Sequence, residues 1–248
     1  MRRLSVEILV LLFLFSLIPI VTADVTTGLV GYWPLDGNTI EKTGKGGDGT
    51  AVGNPTWDKG RYGQAIKLDG KTQRVDLTNF VLTSDNVTIA VWISGWKTDT
   101  WTGLMMSRGT QGTANGIGFG DGDALHYTWS ANTTWEWHDG PVIPQDTWAM
   151  LAISIDPKTA TAYVFTDKDG LKSATNEADH PAETIDKMQI GNDDCCGNTR
   201  WVVGLMDEAV IYDRALTKDD IVELATKGLV TAVESKDKLT ITWGTIKN

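Results

Sequence analysis

Apolar or alternating runs recur along the chain at 29–35, 64–68, 74–77, 87–94, 103–107, 116–120, 125–130, 148–155, 160–166, 187–191 and 201–212. Most are short, rich in Val, Ile, Tyr, Trp and Thr, and bounded by Gly, Asn and Asp clusters. Short period-two runs closed by turn residues predict antiparallel strands, and this many of them predict a two-sheet sandwich. No βαβ spacing, long-period repeat or low-complexity tract interrupts them.

One segment changes period. Ile221, Val222, Leu224 and Ala225 share a helical face. Thr217 with Asp220 three residues on resembles a capping box, with Asp in place of Glu. Leu216 can staple onto Ile221, and Gly228 supplies the C′ stop. A helix this short is marginal alone, so it is expected to lie against a sheet.

The two ends read differently from the middle. Arg2 and Arg3 precede an apolar run from Ile8 to Val21, ending in Val-Thr-Ala before Asp24. This is the pattern of a cleaved signal peptide over 1–23, short for a membrane span; an uncleaved anchor is the alternative. Export implies a secreted, extracellular or periplasmic protein. Residues 24–228 form the expected domain. Residues 229–248 hold a polar joint and then Lys-Leu-Thr-Ile-Thr-Trp, read as a tail or an added edge strand.

Composition narrows the partners. The formal charge is −10, from 22 basic and 32 acidic residues, without a basic cluster. Nucleic acid and anionic membrane surfaces are therefore excluded as targets, because both require concentrated Lys and Arg. The membrane enters only through an uncleaved signal segment. Glycine is abundant, 26 of 248 residues, against a usual value of about 7%, as suits a turn-rich β protein. The only cysteines are the adjacent Cys195 and Cys196. They make neither a disulfide framework nor a zinc site; a vicinal disulfide and a pair of loop thiols both remain open.

An ordered set of segments carries a family resemblance. GLVGYWPLDGN (28–38), GRYGQAIKLDG (60–70), VTIAVWI (87–93), DTWAMLAISID (146–156), TAYVFTDKDG (161–170) and WVVGLMDEAVIYDRALTKDDIVEL (201–224) follow one another. Together they resemble bacterial secreted laminin G-like domains of the concanavalin A-like lectin/glucanase superfamily. The last segment is the most specific. The resemblance implies an all-β, two-sheet antiparallel jelly-roll sandwich with one short C-terminal helix, as the strand pattern independently favours. It does not imply one activity, since the fold hosts lectins, adhesion modules and glucanases.

Eleven tryptophans need places. Trp33, Trp92 and Trp148 sit in apolar strands and are expected in the core. Trp96, Trp101, Trp129, Trp135, Trp137 and Trp243 fall outside the family-like segments, several in polar, Gly-rich loops. A loop Trp suits a sugar, whose C–H face stacks on an aromatic ring. Trp101, Trp129, Trp135, Trp137 and His138 are therefore the candidate carbohydrate-binding residues. The alternative is that Trp135 and Trp137, two apart, cover a secondary apolar patch.

Catalysis is not expected. Glucan-cleaving relatives carry an E-x-D-x-(x)-E run, whose alternation puts carboxylates on one face across the scissile bond, and no such run is present. His126, His138 and His180 lack a nucleophile-elbow context. The family resemblance does imply a structural Ca²⁺ between the first and last strands, with Asp36 and Asp207 at the matching positions. A carboxylate bonding turn amides is the alternative for Asp207. Asn192-Asp193-Asp194 is a second acidic cluster, or simply a solvated loop. The expectation is an exported non-catalytic module that binds a glycan or cell-surface ligand. An adhesion or protein-binding module is the runner-up, and an undetected glycoside hydrolase the third reading.

Overall fold

The computed structural model describes residues 24–97, 101–109, 112–130, 134–197 and 199–229, with the side chain of Trp135 left undescribed. The expected signal segment, Trp243 and almost all of the expected tail lie outside these residues. The strands are β1 (Leu29–Trp33), β2 (Thr50–Val52), β3 (Thr56–Lys59), β4 (Gln64–Asp69), β5 (Arg74–Ser84), β6 (Val87–Ser94), β7 (Gly103–Arg108), β8 (Ala114–Phe119), β9 (Leu125–Thr128), β10 (Ala149–Ile155), β11 (Thr159–Thr166), β12 (Gly170–Glu177), β13 (Glu183–Ile190), β14 (Asn192–Asp193), β15 (Arg200–Trp201) and β16 (Val203–Tyr212), followed by helix α1 (Lys218–Lys227). Among the described residues no helix is long and apolar enough to cross a membrane.

Two antiparallel sheets form the sandwich. One runs β12-β11-β10-β6-β16-β4-β3, with β1 also on β16; the other runs β2-β5-β13-β7-β8-β9. β16 organises the first sheet. Its early residues pair with β4, its later ones with β1, and its other edge with β6. Trp33 thus sits opposite Ala209, and the first strand meets the last.

Period-two alternation sorts the side chains. In β9, Leu125 and Tyr127 point into the main core while His126 and Thr128 face outward. In β8, Ile117 is core, and Gly116 and Gly118 alternate with it. Between the sheets, Trp33, Ile66, Leu77, Leu104, Phe119, Tyr127 and Trp129 are almost fully buried. A second cluster covers the outer face of the larger sheet, where Trp92, Tyr163, Phe165 and Tyr212 pack under Leu216, Ile221 and Leu224. This places α1 against a sheet, as expected. Its capping box forms as read: Thr217 accepts from the Asp220 N–H, and the Asp220 carboxylate accepts from the Thr217 N–H. Gly228 closes it at φ 64°.

The strands missing from the sequence pattern are polar. β2, β3 and β12 lie at sheet edges with largely exposed or half-buried residues. They are fixed by backbone pairing, such as Thr161 against Thr175, rather than by an apolar face.

Candidate functional site

A cleft of about 380 Å³ lies on the outer face of the six-stranded sheet. Its floor is made where β8 offers almost no side chain: Ala114 and Gly118 line it. A Cβ at Gly116 would meet the Met105 carbonyl oxygen at 2.1 Å, and one at Gly118 the Thr102 oxygen at 2.6 Å. Glycine at these alternate positions lets β7 and β8 close tightly and leaves the surface above them bare. Met106 and Arg108 come from β7, and His126 and Thr128 from β9. Trp101 forms one wall, and Asp193 and Arg200 from the β14–β15 hairpin form another.

Three rings are held together at one end. Trp101 lies 5.0 Å from His126 and 5.3 Å from His138, both edge-on, and the two imidazoles are 6.0 Å apart. The Trp101 N–H donates to the Phe119 carbonyl at 2.7 Å. Its φ of 71° is in the left-handed region, uncommon for a bulky residue and costly by about 1–3 kcal/mol. His126 Nδ1 lies 2.9 Å from the Trp137 carbonyl oxygen. A carbonyl only accepts, so Nδ1 carries the proton and Nε2 is left as acceptor toward Thr128 Oγ1 at 3.3 Å. Burial holds the His126 pKa below its ordinary value, helped by His138 and Arg200 and opposed by the Trp137 carbonyl and Asp121. His126 is therefore a neutral ring at pH 7.

The opposite wall is ionic. Asp193 is 1% exposed. Arg108 grips it through Nε and Nη2 at 2.6 and 2.8 Å, and Arg200 through Nη1 at 2.8 Å. The guanidinium side chains are 31% and 24% exposed, and Arg200 lies 6.0 Å from the Trp101 ring centroid. The hairpin that presents Asp193 and Arg200 carries the Cys195–Cys196 pair, joined as a vicinal disulfide. The Cys195 N–H donates to the Asp193 carbonyl.

Of the expected carbohydrate-binding residues, the structure brings Trp101 and His138 together and turns Trp129 and Trp137 toward the core. Trp129 is a correction: it is fully buried in the main core, with Nε1 donating to the Pro181 carbonyl at 2.9 Å. Trp96 is buried likewise, with Nε1 on the Pro144 carbonyl. Both follow a strand and fold back over its end, a core entry that loop-like composition conceals. Trp137 is half-buried, packed against the core and edge-on to Tyr127 at 5.4 Å. The Trp135 side chain lies outside the described structure. Asp193 is corrected too: it is a buried partner of two arginines rather than part of a solvated or cation-binding loop. Arg108, Arg200 and Thr128 escape the sequence reading, which weighs His126 only as a catalytic histidine. The Ala-x-Gly-x-Gly alternation at 114–118 was the available signal for a bare strand face.

Asp36 and Asp207 do come near one another, on either side of the 60–63 turn. Asp207 Oδ2 accepts from the Tyr62 N–H at 3.0 Å, and Asp36 Oδ1 from the Gln64 N–H at 2.6 Å. Turn amides thus take one oxygen of each carboxylate. Asp207 is fully buried, however, and its Oδ1 has no partner. Burial pushes its pKa up to about 8, with Glu208 and Asp36 adding to the rise and the Tyr62 and Arg61 amides opposing it. Glu208, whose carboxylate accepts from the Tyr32 hydroxyl, is pushed up to about 7 by burial and by Asp36. An orphaned buried oxygen among mutually repelling carboxylates fits a cation. Yet among the described residues no three His, Cys, Asp or Glu side chains are grouped to hold one by themselves, so backbone carbonyls would have to complete the shell.

The comparisons agree with the architecture. A family profile described as the concanavalin A-like lectin/glucanases superfamily, of laminin G type, matches residues 69–222. That span is more than half of the chain, and the protein belongs to this family. No curated protein sequence matches. Among solved structures, domain 4 of AbnA, an extracellular GH43 arabinanase from Geobacillus stearothermophilus in complex with arabinotriose, superposes with TM-score 0.64 at 23% identity, covering 80% of this chain and 98% of that one. The binding domain of botulinum neurotoxin serotype D/C gives 0.57 at 13% identity, over 81% and 52% of the two chains. Trypanosoma rangeli sialidase gives 0.54 at 15% identity, over 79% of this chain and 32% of that one, so this chain matches about a third of the sialidase. At these identities the likeness is one of fold.

Proposed function

We propose that the protein is an exported, non-catalytic glycan-binding module whose site is the cleft between Trp101 and the Arg108–Asp193–Arg200 group. The observation that carries this reading is a pre-built aromatic wall facing partly exposed donors over a floor of Ala114 and Gly118. A pyranose or furanose ring needs a flat apolar surface on one side and hydrogen-bonding groups around its edge. The complex of AbnA domain 4 with arabinotriose, on the same fold, adds support. The non-catalytic reading rests on the carboxylates. Glycoside hydrolysis calls for two flanking the bond, whereas among the described residues Asp193 is the one carboxylate lining the cleft and is committed to both arginines. Export rests on the Arg2-Arg3 and 8–21 pattern.

Ca²⁺ beside Asp207 and Asp36 belongs to the same reading as a structural ion. Ca²⁺ takes oxygen ligands from carboxylates and carbonyls, and here it would offset the charge of Asp207 and Asp36, with backbone carbonyls completing its shell, and tie the β1 end to β16.

A glycan array with the purified protein tests the site, paired with Trp101→Ala. Binding that falls at least tenfold in the variant, with the melting temperature nearly unchanged, is the expected result. Binding indifferent to Trp101, or binding to protein ligands alone, would overturn it.

A further inference from the structure

Resting on the reading of this cleft as a glycan site, we infer that its ligand is an acidic saccharide, with the sugar carboxylate received by the exposed faces of Arg108 and Arg200. The argument is a donor and charge census. Among the described residues the wall holds two guanidinium cations and one carboxylate, a surplus of one positive charge in a chain of net charge −10. The signs are also placed asymmetrically. The anion, Asp193, is 1% exposed, while its two cationic partners, which also line the cleft, keep 31% and 24% of their side-chain surface exposed. A ligand entering the cleft meets the positive groups and not the negative one.

Hydrogen-bonding capacity points the same way. A guanidinium offers five N–H donors and no acceptor. Arg108 uses Nε and Nη2 on Asp193, leaving Nη1; Arg200 uses Nη1, leaving Nε and Nη2. Asp193 holds each fork in place, so a second carboxylate finds donors already oriented. Among the described lining side chains acceptors are few: His126 Nε2 is engaged with Thr128, whose hydroxyl is the main remaining one. A neutral sugar hydroxyl both donates and accepts, and would leave this wall half used. A carboxylate only accepts, and fits it. Among the described residues the opposing charges are Asp121, exposed on the rim near His126, and Asp186, whose carboxylate lies beside Gly109; both stand outside the cleft lining, where solvent screens them.

The decisive comparison keeps the protein constant and changes the ligand. Trigalacturonate is titrated against its trimethyl ester, and sialyllactose against its methyl ester, by calorimetry at low and physiological salt. A sulfated, carboxylate-free oligosaccharide is the third arm. We expect at least one free acid to bind tenfold or more tighter than its ester, with the advantage shrinking as salt rises. Arg200→Gln, checked for an intact melt, should erase that advantage, while Trp101→Ala weakens acid and ester together. Whichever acid binds identifies the sugar. Equal affinity for acid and ester, or a preference for neutral glycans, overturns the inference and leaves the glycan site standing. Binding of the sulfated sugar alone overturns the carboxylate assignment. Failure of every glycan overturns the underlying reading as well.

Discussion

The two sheets treat their outer faces in opposite ways. On the larger sheet, Trp92, Tyr163, Phe165 and Tyr212 are sealed by α1 and the segment leading into it. On the smaller sheet, β7, β8 and β9 present Met106, Arg108, glycines, His126 and Thr128 around an open cleft. Both faces carry aromatic rings, but among the described residues only one is closed by the chain itself. Aromatic content alone therefore does not mark a binding face; what marks it is a ring held at the edge of bare backbone, beside ionic groups tied to one another.

The sharpest test of this contrast is truncation of one ring on each face. Trp92→Ala on the closed face, or Trp129→Ala between the sheets, should cost about 3–5 kcal/mol and lower or abolish the thermal transition. Trp101→Ala should leave that transition nearly in place and remove ligand binding. Equal destabilisation by Trp92→Ala and Trp101→Ala would erase the distinction between the faces.

Calcium should stabilise the strand junction and leave the cleft alone. A cation bound only by the folded protein adds RT ln(1 + [L]/Kd), about 2.7 kcal/mol at 100 Kd. Melting in millimolar Ca²⁺ should therefore exceed melting in EDTA, and Asp207→Asn should remove the difference. Identical midpoints would count against a site of useful affinity. On the cleft side, Asp193→Asn leaves two guanidinium groups without their anion and should cost about 1–3 kcal/mol, measured by denaturant unfolding, together with loss of ligand binding.

A weaker effect follows from pH. His126 and His180 both have pKa values lowered by burial. A base with a depressed folded pKa favours folding fully above its unfolded value and loses that contribution as pH falls. Asp207 and Glu208, whose folded pKa values are raised, work the other way as pH falls, so the histidine contribution is read as a difference: His180→Gln should gain melting temperature relative to the native protein as pH falls through about 6.5. The smallest effect is expected at Cys195–Cys196. A bridge between neighbours closes almost no loop, so reduction should leave the global transition within error. Thiol titration under denaturing, non-reducing conditions should find no free thiol.

Much of this was legible in the chain. The strands with an apolar face, the caps of α1 and the family were readable because burial leaves a period and capping leaves residue types. The polar edges β2, β3 and β12 were not, because backbone pairing leaves no hydrophobic record. The site was half legible. Trp101 and His138 stood out by type, but Trp129 has the same local surroundings and turns inward. Arg108, Asp193 and Arg200 meet through a sheet neighbour and a hairpin, and the 85-residue separation of Arg108 from Asp193 hides that triad from any local pattern.

The place of β16 has a consequence for how the chain acquires its structure. β1, β4 and β6 all depend on this one late strand, and the Tyr32–Glu208 bond joins residues 176 apart. Contacts of such long range are slow to form, because the loop they close must be ordered first. A nascent chain ending before residue 203 would hold β1, β4 and β6, all made by residue 94, without their common neighbour. The larger sheet is therefore completed late and all at once, after synthesis has passed residue 212, and a ribosome-stalled series of lengths should gain protease resistance in a single step there.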